Sequence, residues 1–331
     1  MIVNHSAAQR RLTLALAATT LLAPTLAVAQ GDASFPSRPI TLVIPYAAGG
    51  PADTMARALA QPMSAFLGQT VIVDAKPGGA ATIGTGAVAR AKPDGYTLLL
   101  GTSAGHTVTP QMQKVPYDGV GDFAFIGVAA IQPNVLVVHP SIGVNSVADL
   151  VARAKQEPGK LNYASAGMGG ATHLGAEAFL QRAGIQITHV PYGGAAPAIK
   201  DLLGGEVQMG MLNLGATKAF IEQGKLKALA YGAAKRSALL PDVPTLAEVG
   251  MAGAELPTWY TVAAPKGTPP AVMARLHAAM AHAQQDPAWQ QLLGRIGGEA
   301  GALTPAETTA FVAADKAAMT KLLGALNLLD K

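Results

Sequence analysis

Short β-branched or leucine-rich runs alternate with longer alanine-rich amphipathic stretches along most of this 331-residue chain, and few folds accept that pattern. Strands are expected at 40–44, 70–73, 97–100, 125–129, 135–138, 161–164, 187–190, 207–211, 228–231 and 260–263. Helices are expected at 51–66, 82–89, 146–155, 172–182, 196–203, 216–223, 245–249, 270–285, 286–296 and 305–326. Repetition of run and stretch builds mostly parallel sheet with helices on both faces, an α/β class. Pro270 and Pro305 suit first-turn positions, and Thr304 to Glu307 has capping-box spacing. From Pro269 onward no further strand run is found, so this part should pack on a sheet built earlier. The order reads as one α/β domain, then a second, then a return to the first, with crossings near 127–134 and 255–260.

The first 29 residues stand apart from the fold. Arg10-Arg11 precede an apolar run at 12–22, and Ala27-Val28-Ala29 has the small-x-small pattern of a signal-peptidase site. The run is too short to span a membrane. A soluble protein exported to the periplasm is expected, cleaved after Ala29, by general secretion in preference to the twin-arginine route. Cleavage leaves 302 residues, room for two cores, and takes the formal charge from +4 to +2. That near-balance gives no footing for nucleic acid or for a polybasic membrane patch. Cysteine is absent, which removes disulfides, thiolate metal sites and Cys nucleophiles.

Three glycine-rich junctions carry the chemistry. The first is "ITLVIPYAAGGPADTMAR", residues 40–57, a strand entering a helix through Tyr46-Ala47-Ala48-Gly49-Gly50. First-turn N–H groups lack helical partners and carry partial positive charge, so glycines there can admit a carboxylate or phosphate. No Lys-Ser or Lys-Thr pair follows Gly50, and Asp53 would oppose a polyanion. A plain turn with a capping Asp53 explains these residues equally well. The second junction, "NYASAGMGGATHLGAEAF", places Gly167, Met168, Gly169 and Gly170 before Thr172 and His173. His173 and Glu177 lie one helical turn apart, but two ligands without a third make a poor metal site, and a capping or packing histidine is favoured. The third, "HVPYGGAAPAIKDLLGGE", has Tyr192-Gly193-Gly194 in echo of the first, so the two loops could face each other across a cleft.

Gly101-Thr102-Ser103-Ala104-Gly105 fits the nucleophile-elbow pattern after a strand. The elbow needs a helix directly after the serine, whereas 106–116 holds two prolines and little apolar period. A secreted serine hydrolase using Ser103 is therefore disfavoured. Residues 84–89 brush against the dinucleotide fingerprint without a preceding strand, and helix packing accounts for them.

Taken in order, "FPSRPITLVIPYAAGGPADTMAR", "KPDGYTLLLGTSAGHTVTP", "VPYDGVGDFAFIG", "LNYASAGMGGATHLGAEAF", "HVPYGGAAPAIKDLLGGEVQMG" and "LPDVPTLAEVG…PTWYTVAAPKGTP" closely resemble the extracytoplasmic solute receptors of tripartite tricarboxylate transporters, the Bug-type periplasmic binding proteins. The resemblance covers the chain from residue 35 to the last helix. It implies a type II-like two-lobed fold, each lobe a mostly parallel sheet flanked by helices, joined by two crossing segments and closing on ligand. The lobes implied are 30–130 with 257–331, and 131–256. It further implies a small carboxylate ligand, membrane permease subunits as partners, no catalysis, no cofactor or metal, and a monomer. A sensory receptor with the same pocket is the alternative. The carboxylate loops correspond to 46–53 and 167–173, with Ser103, Tyr192, Asn213 and Trp259 at or near the pocket. Trp259 reads equally as a core aromatic. Where the family pattern has Asn and Ser, this chain has Met168 and Gly170, and Ala75 stands where Asn is common. Those departures suggest a ligand less polar than citrate, with Met168 against its apolar part.

Overall fold

The run Ile40-Thr41-Leu42-Val43-Ile44 becomes β1 with four of its five residues buried, as an apolar stretch without alternation requires. This computed structural model describes residues 35–330, and from Pro36 on the chain forms one compact unit. The expected signal segment and its cleavage point lie outside the described residues.

In chain order the strands are β1 (Ile40–Ile44), β2 (Val71–Ala75), β3 (Thr97–Gly101), β4 (Phe123–Gln132), β5 (Asn134–Val138), β6 (Asn162–Ser165), β7 (Thr188–Pro191), β8 (Met209–Asn213), β9 (Lys227–Gly232), β10 (Thr258–Pro265) and β11 (Glu299–Ala300). The helices are α1 (Pro51–Leu67), α2 (Thr82–Ala89), α3 (Thr109–Met112), α4 (Val147–Gln156), α5 (Ala171–Ala183), α6 (Ala195–Gly204), α7 (Leu214–Glu222), α8 (Pro270–Gln284), α9 (Pro287–Ile296) and α10 (Pro305–Ala325). The strands form two sheets, ordered β11-β4-β10-β3-β1-β2 and β7-β6-β8-β5-β9. Only Pro133 separates β4 in the first sheet from β5 in the second, and the chain returns between Gly232 and Thr258. Along β5, Val135 and Val137 enter one apolar cluster while Leu136 and Val138 enter another, so the second sheet is covered on both faces.

The architecture is the expected two-lobed α/β fold, yet the sheets are mixed where mostly parallel ones were expected. Strands joined through helices pair in parallel, as in β1–β2, β1–β3, β6–β7 and β6–β8. Strands at the passages between sheets have no such constraint: β10 runs antiparallel to β3 and β4, and β5 to β8 and β9. After Pro269 one further strand does occur: two-residue β11 pairs with β4, too short to leave a pattern in sequence. The expected helix at 245–249 is a single turn: Glu248 N donates to Thr245 Oγ1 and Thr245 N to Glu248, and Gly250, in left-handed backbone, stops it. At the other end, α10 carries the capping box expected of Thr304 and Glu307.

Candidate functional site

Three helices begin with glycine at the N-cap: Gly50 for α1, Gly170 for α5 and Gly194 for α6. None has a side-chain cap. Their first turns converge on one cavity, lined by Gly50, Pro51 and Ala52, by Gly170, Ala171 and Thr172, and by Ala195. The N–H groups of Ala52, Ala171, Thr172 and Ala195 meet no backbone acceptor among the described residues. The remaining walls are Tyr46, Ala47, Thr102, Ser103, Ala166, Asn213, Thr258 and Tyr260. No charged residue lines the space. Its positive character comes from helix ends alone.

Loops from the two sheets meet around it. Ala47 N donates to Gly193 O at 2.9 Å, so the first and third glycine junctions do face each other. Gly169, with φ of +74°, lies against Thr109, where a Cβ would stand 2.9 Å from Oγ1. Tyr46 Oη and Thr102 Oγ1 share a 2.6 Å hydrogen bond at the rim. Burial pushes the Tyr46 phenol up to about 12, with the Thr102 bond partly offsetting, so it stays protonated.

The second loop is fixed from behind by a buried stack. Ala166 N donates to Thr172 Oγ1 at 3.0 Å, Gly167 N to Ser165 Oγ at 3.3 Å, and Gly169 N to His173 Nδ1 at 3.1 Å. His173 stacks on His189 at 4.2 Å, and His189 on Tyr163 at 4.7 Å. Burial, with His189 adding to it, holds His173 down to about 3, and burial holds His189 down to about 4. Both rings are neutral, which is what Nδ1 of His173 needs in order to accept. His173 Nε2 is 4.0 Å from Glu177, and no cluster of three metal-ligating residues occurs among the described residues.

Of the residues singled out in the sequence, Tyr46, Ala47, Gly50, Ser103, Gly170, Thr172 and Asn213 line the cavity. Gly49 faces an adjoining space shared with Gly50 and Pro51. Gly167, Met168 and Tyr192 border another, on the far side of Tyr46. Met168 is 42% exposed there, so it is not placed against the apolar part of a ligand in the main cavity. Ala48 is exposed at the loop surface. Asp53 turns its carboxylate onto Gly49 N at 3.0 Å and Arg57 Nε at 2.9 Å. Burial alone would raise that carboxyl; Arg57 and the Gly49 N–H outweigh it and hold it below the usual range. It fixes the loop and does not cap the helix. Gly169 and His173 support the loop from outside the cavity lining.

Trp259 is also outside. Its Nε1 donates to Asp315 at 3.1 Å and its ring meets His106 and Phe311 in the lobe core. Side chains alternate along a strand, so Thr258 and Tyr260, its neighbours on β10, face the cavity instead. Neither was singled out in the sequence, nor were Ala166 and Ala195, while Thr102 entered only as a neighbour of Ser103. The clue for the pair was period two about Trp259; for Ala195 it was the third glycine junction.

The Ser103 motif has a packing explanation. A helix does follow the serine, against expectation: a π-turn at Ala104–Val108 runs into α3. Yet Ser103 has no histidine partner among the described residues, and nearby His106 is tied by Nδ1 to Gly119 O at 2.6 Å. A Cβ at Gly101 would collide with the His106 ring, and one at Gly105 with Thr85. The two glycines of the motif serve close packing.

The tripartite tricarboxylate transporter family receptor profile matches residues 55–328. The protein BugT of Bordetella pertussis is 36% identical over 282 residues, 85% of this chain and 86% of its own length. Among solved structures, the periplasmic binding protein BugD superposes with a TM-score of 0.85 at 35% identity, covering 90% of this chain and all of BugD. Rpa4515 of R. palustris, solved with adipate, gives 0.83 at 36% identity, covering 88% of this chain and 98% of its own. Fold, cavity and sequence agree: the chain belongs to the tripartite tricarboxylate transporter receptor family, whose members are periplasmic solute-binding receptors and not enzymes.

Proposed function

We propose that this protein captures a small carboxylate between its two lobes and presents it to the membrane subunits of a tripartite transporter. One observation carries the reading: three glycine-capped helix N-termini with open N–H groups meet in an uncharged cavity. Such ends hold a carboxylate firmly, and no buried Lys or Arg has to be dehydrated for the purpose. The adipate bound to Rpa4515 is consistent with this ligand class. The carboxylate sits on the ends of α1 and α5, with Tyr46, Ser103, Thr172 and Asn213 around its body.

The two lobes are built on the two sheets and divide at Pro133 and before Thr258, and ligand stabilises the shut form by touching both. The protein acts as a monomer in the periplasm after cleavage behind Ala29. The test is thermal unfolding of ligand-stripped, refolded protein against a panel of mono-, di- and tricarboxylates. A ligand at a hundred times its dissociation constant adds about 2.7 kcal/mol, a shift of several degrees. A flat response to every member overturns the proposal.

A further inference from the structure

At the end of β8 an amide is oriented by the backbone. Asn134 Nδ2 donates to the carbonyl oxygen of Leu256 at 2.7 Å, and a carbonyl can only accept. Asn134 Oδ1 is thereby the acceptor of that side chain, and Asn213 Nδ2 donates to it at 2.9 Å. The same Nδ2 donates to Thr258 Oγ1 at 2.9 Å, and Thr258 in turn faces Asn134 Oδ1 at 3.4 Å. Rotating the Asn213 amide would set oxygen against oxygen. Its N–H groups are committed, and Oδ1 is what remains.

That oxygen has an ordinary use which it does not take. Asn213 is the N-cap of α7, where Asn accepts from a first-turn N–H, but no such bond forms. The residue is 3% exposed and lines the main cavity. Oδ1 has no partner among the described residues, and unlike Gln132 Oε1 it is not sealed off by protein atoms. It is a fixed acceptor presented to the ligand.

Resting on the carboxylate reading above, we infer that Asn213 selects for a neutral hydrogen-bond donor on the ligand body, so that a hydroxy-carboxylate is taken in preference to the deoxy acid of the same skeleton. A deoxy ligand leaves Oδ1 dehydrated and unpaired. Sites built to bond a hydroxyl reject analogues lacking it far more strongly than apolar pockets reject a misfit methylene. An ammonium group is a poorer occupant than a hydroxyl, because no acidic side chain lines the cavity to balance its charge.

Calorimetric titration of the intact protein with matched acids tests this: malate, succinate and aspartate; 3-hydroxybutyrate and butyrate; 4-hydroxybenzoate and benzoate. The hydroxy member is expected to bind ~10–100-fold tighter than its deoxy and amino counterparts in each set that binds. Asn213→Leu should bring that ratio close to one. If the variant does not fold, the wild-type ratios decide alone. Carboxylates that bind with no preference for the hydroxy member overturn this inference and leave the carboxylate reading standing. If no carboxylate binds in this or the wider panel, that reading falls and the inference with it.

Discussion

His173 shows how one side chain can matter to binding without touching ligand. Its Nδ1 accepts from Gly169 N–H, a buried donor on a loop held in left-handed backbone at Gly169. Leaving such a donor unpaired costs ~1–3 kcal/mol. His173→Leu should therefore release the loop and weaken carboxylate binding about tenfold or more. His173→Asn, whose Oδ1 stands where Nδ1 does, should stay within about threefold of wild type. Titration calorimetry on both variants checks this; equal losses in the two would show that bulk matters and the acceptor does not. Trp259 is the complementary case at this scale. Its size marked it as a pocket residue, but strand parity gives the pocket to Thr258 and Tyr260. Residue type alone could not assign the face, because Trp suits a core and a pocket equally.

At the scale of elements, the helix ends lead to a sharper expectation. Gly170 has φ −76° and ψ 164°, backbone that Asp adopts readily at an N-cap, and a Cβ there meets nothing closer than 3.5 Å. Gly170→Asp places a carboxylate of the protein's own on the α5 N–H groups. Helix stability should rise by ~1 kcal/mol while affinity for an anionic ligand collapses. Thermal unfolding read beside ligand titration shows whether the two move in opposite directions; a variant that still binds carboxylate at wild-type strength would place the ligand elsewhere. Most elements were legible because long periodic stretches announce themselves: α2 and β1 are where the sequence reading put them, and α1 and α8 differ by one residue at one end. What failed was short or non-local. The π-turn after Ser103 has no repeat of its own and is held by outside partners, such as Asp315 accepting from Thr107. Strand direction at the passages depends on pairings between residues more than a hundred positions apart, as Thr258 with Gln132. The glycine junctions were visible as loops, but their convergence on one cavity was not visible from sequence spacing.

For the molecule as a whole, two buried histidines, His106 and His173, and the half-buried His189 set a common pH response. His106 is held down to about 4 by burial, against which the Gly119 carbonyl pulls upward, and its Nε2 has no partner among Phe123, Phe125 and Trp259. His173 lies at about 3 and His189 at about 4 for the burial already described. In the unfolded chain all three titrate near their ordinary value of about 6.5. As pH falls below that value the unfolded chain binds protons that the native state refuses, so native stability declines. The contribution is fully present above about pH 6.5 and is lost progressively down to the folded values near 3 to 4. Each fully buried histidine adds a slope of about 1.4 kcal/mol per pH unit through that window, and the half-buried His189, screened by solvent, adds less. Asp315, which burial raises, bears in the opposite direction, and the depressed carboxylates such as Asp53 add their losses only at lower pH. Between pH 7 and pH 5 the melting temperature should therefore drop by several degrees in ligand-free protein. His173→Asn removes one of the three groups while keeping the loop acceptor, so it should flatten that slope by about a third. A melting temperature that holds constant over this range would mean that the imidazoles are solvated and that the stack behind the second loop is not closed to water.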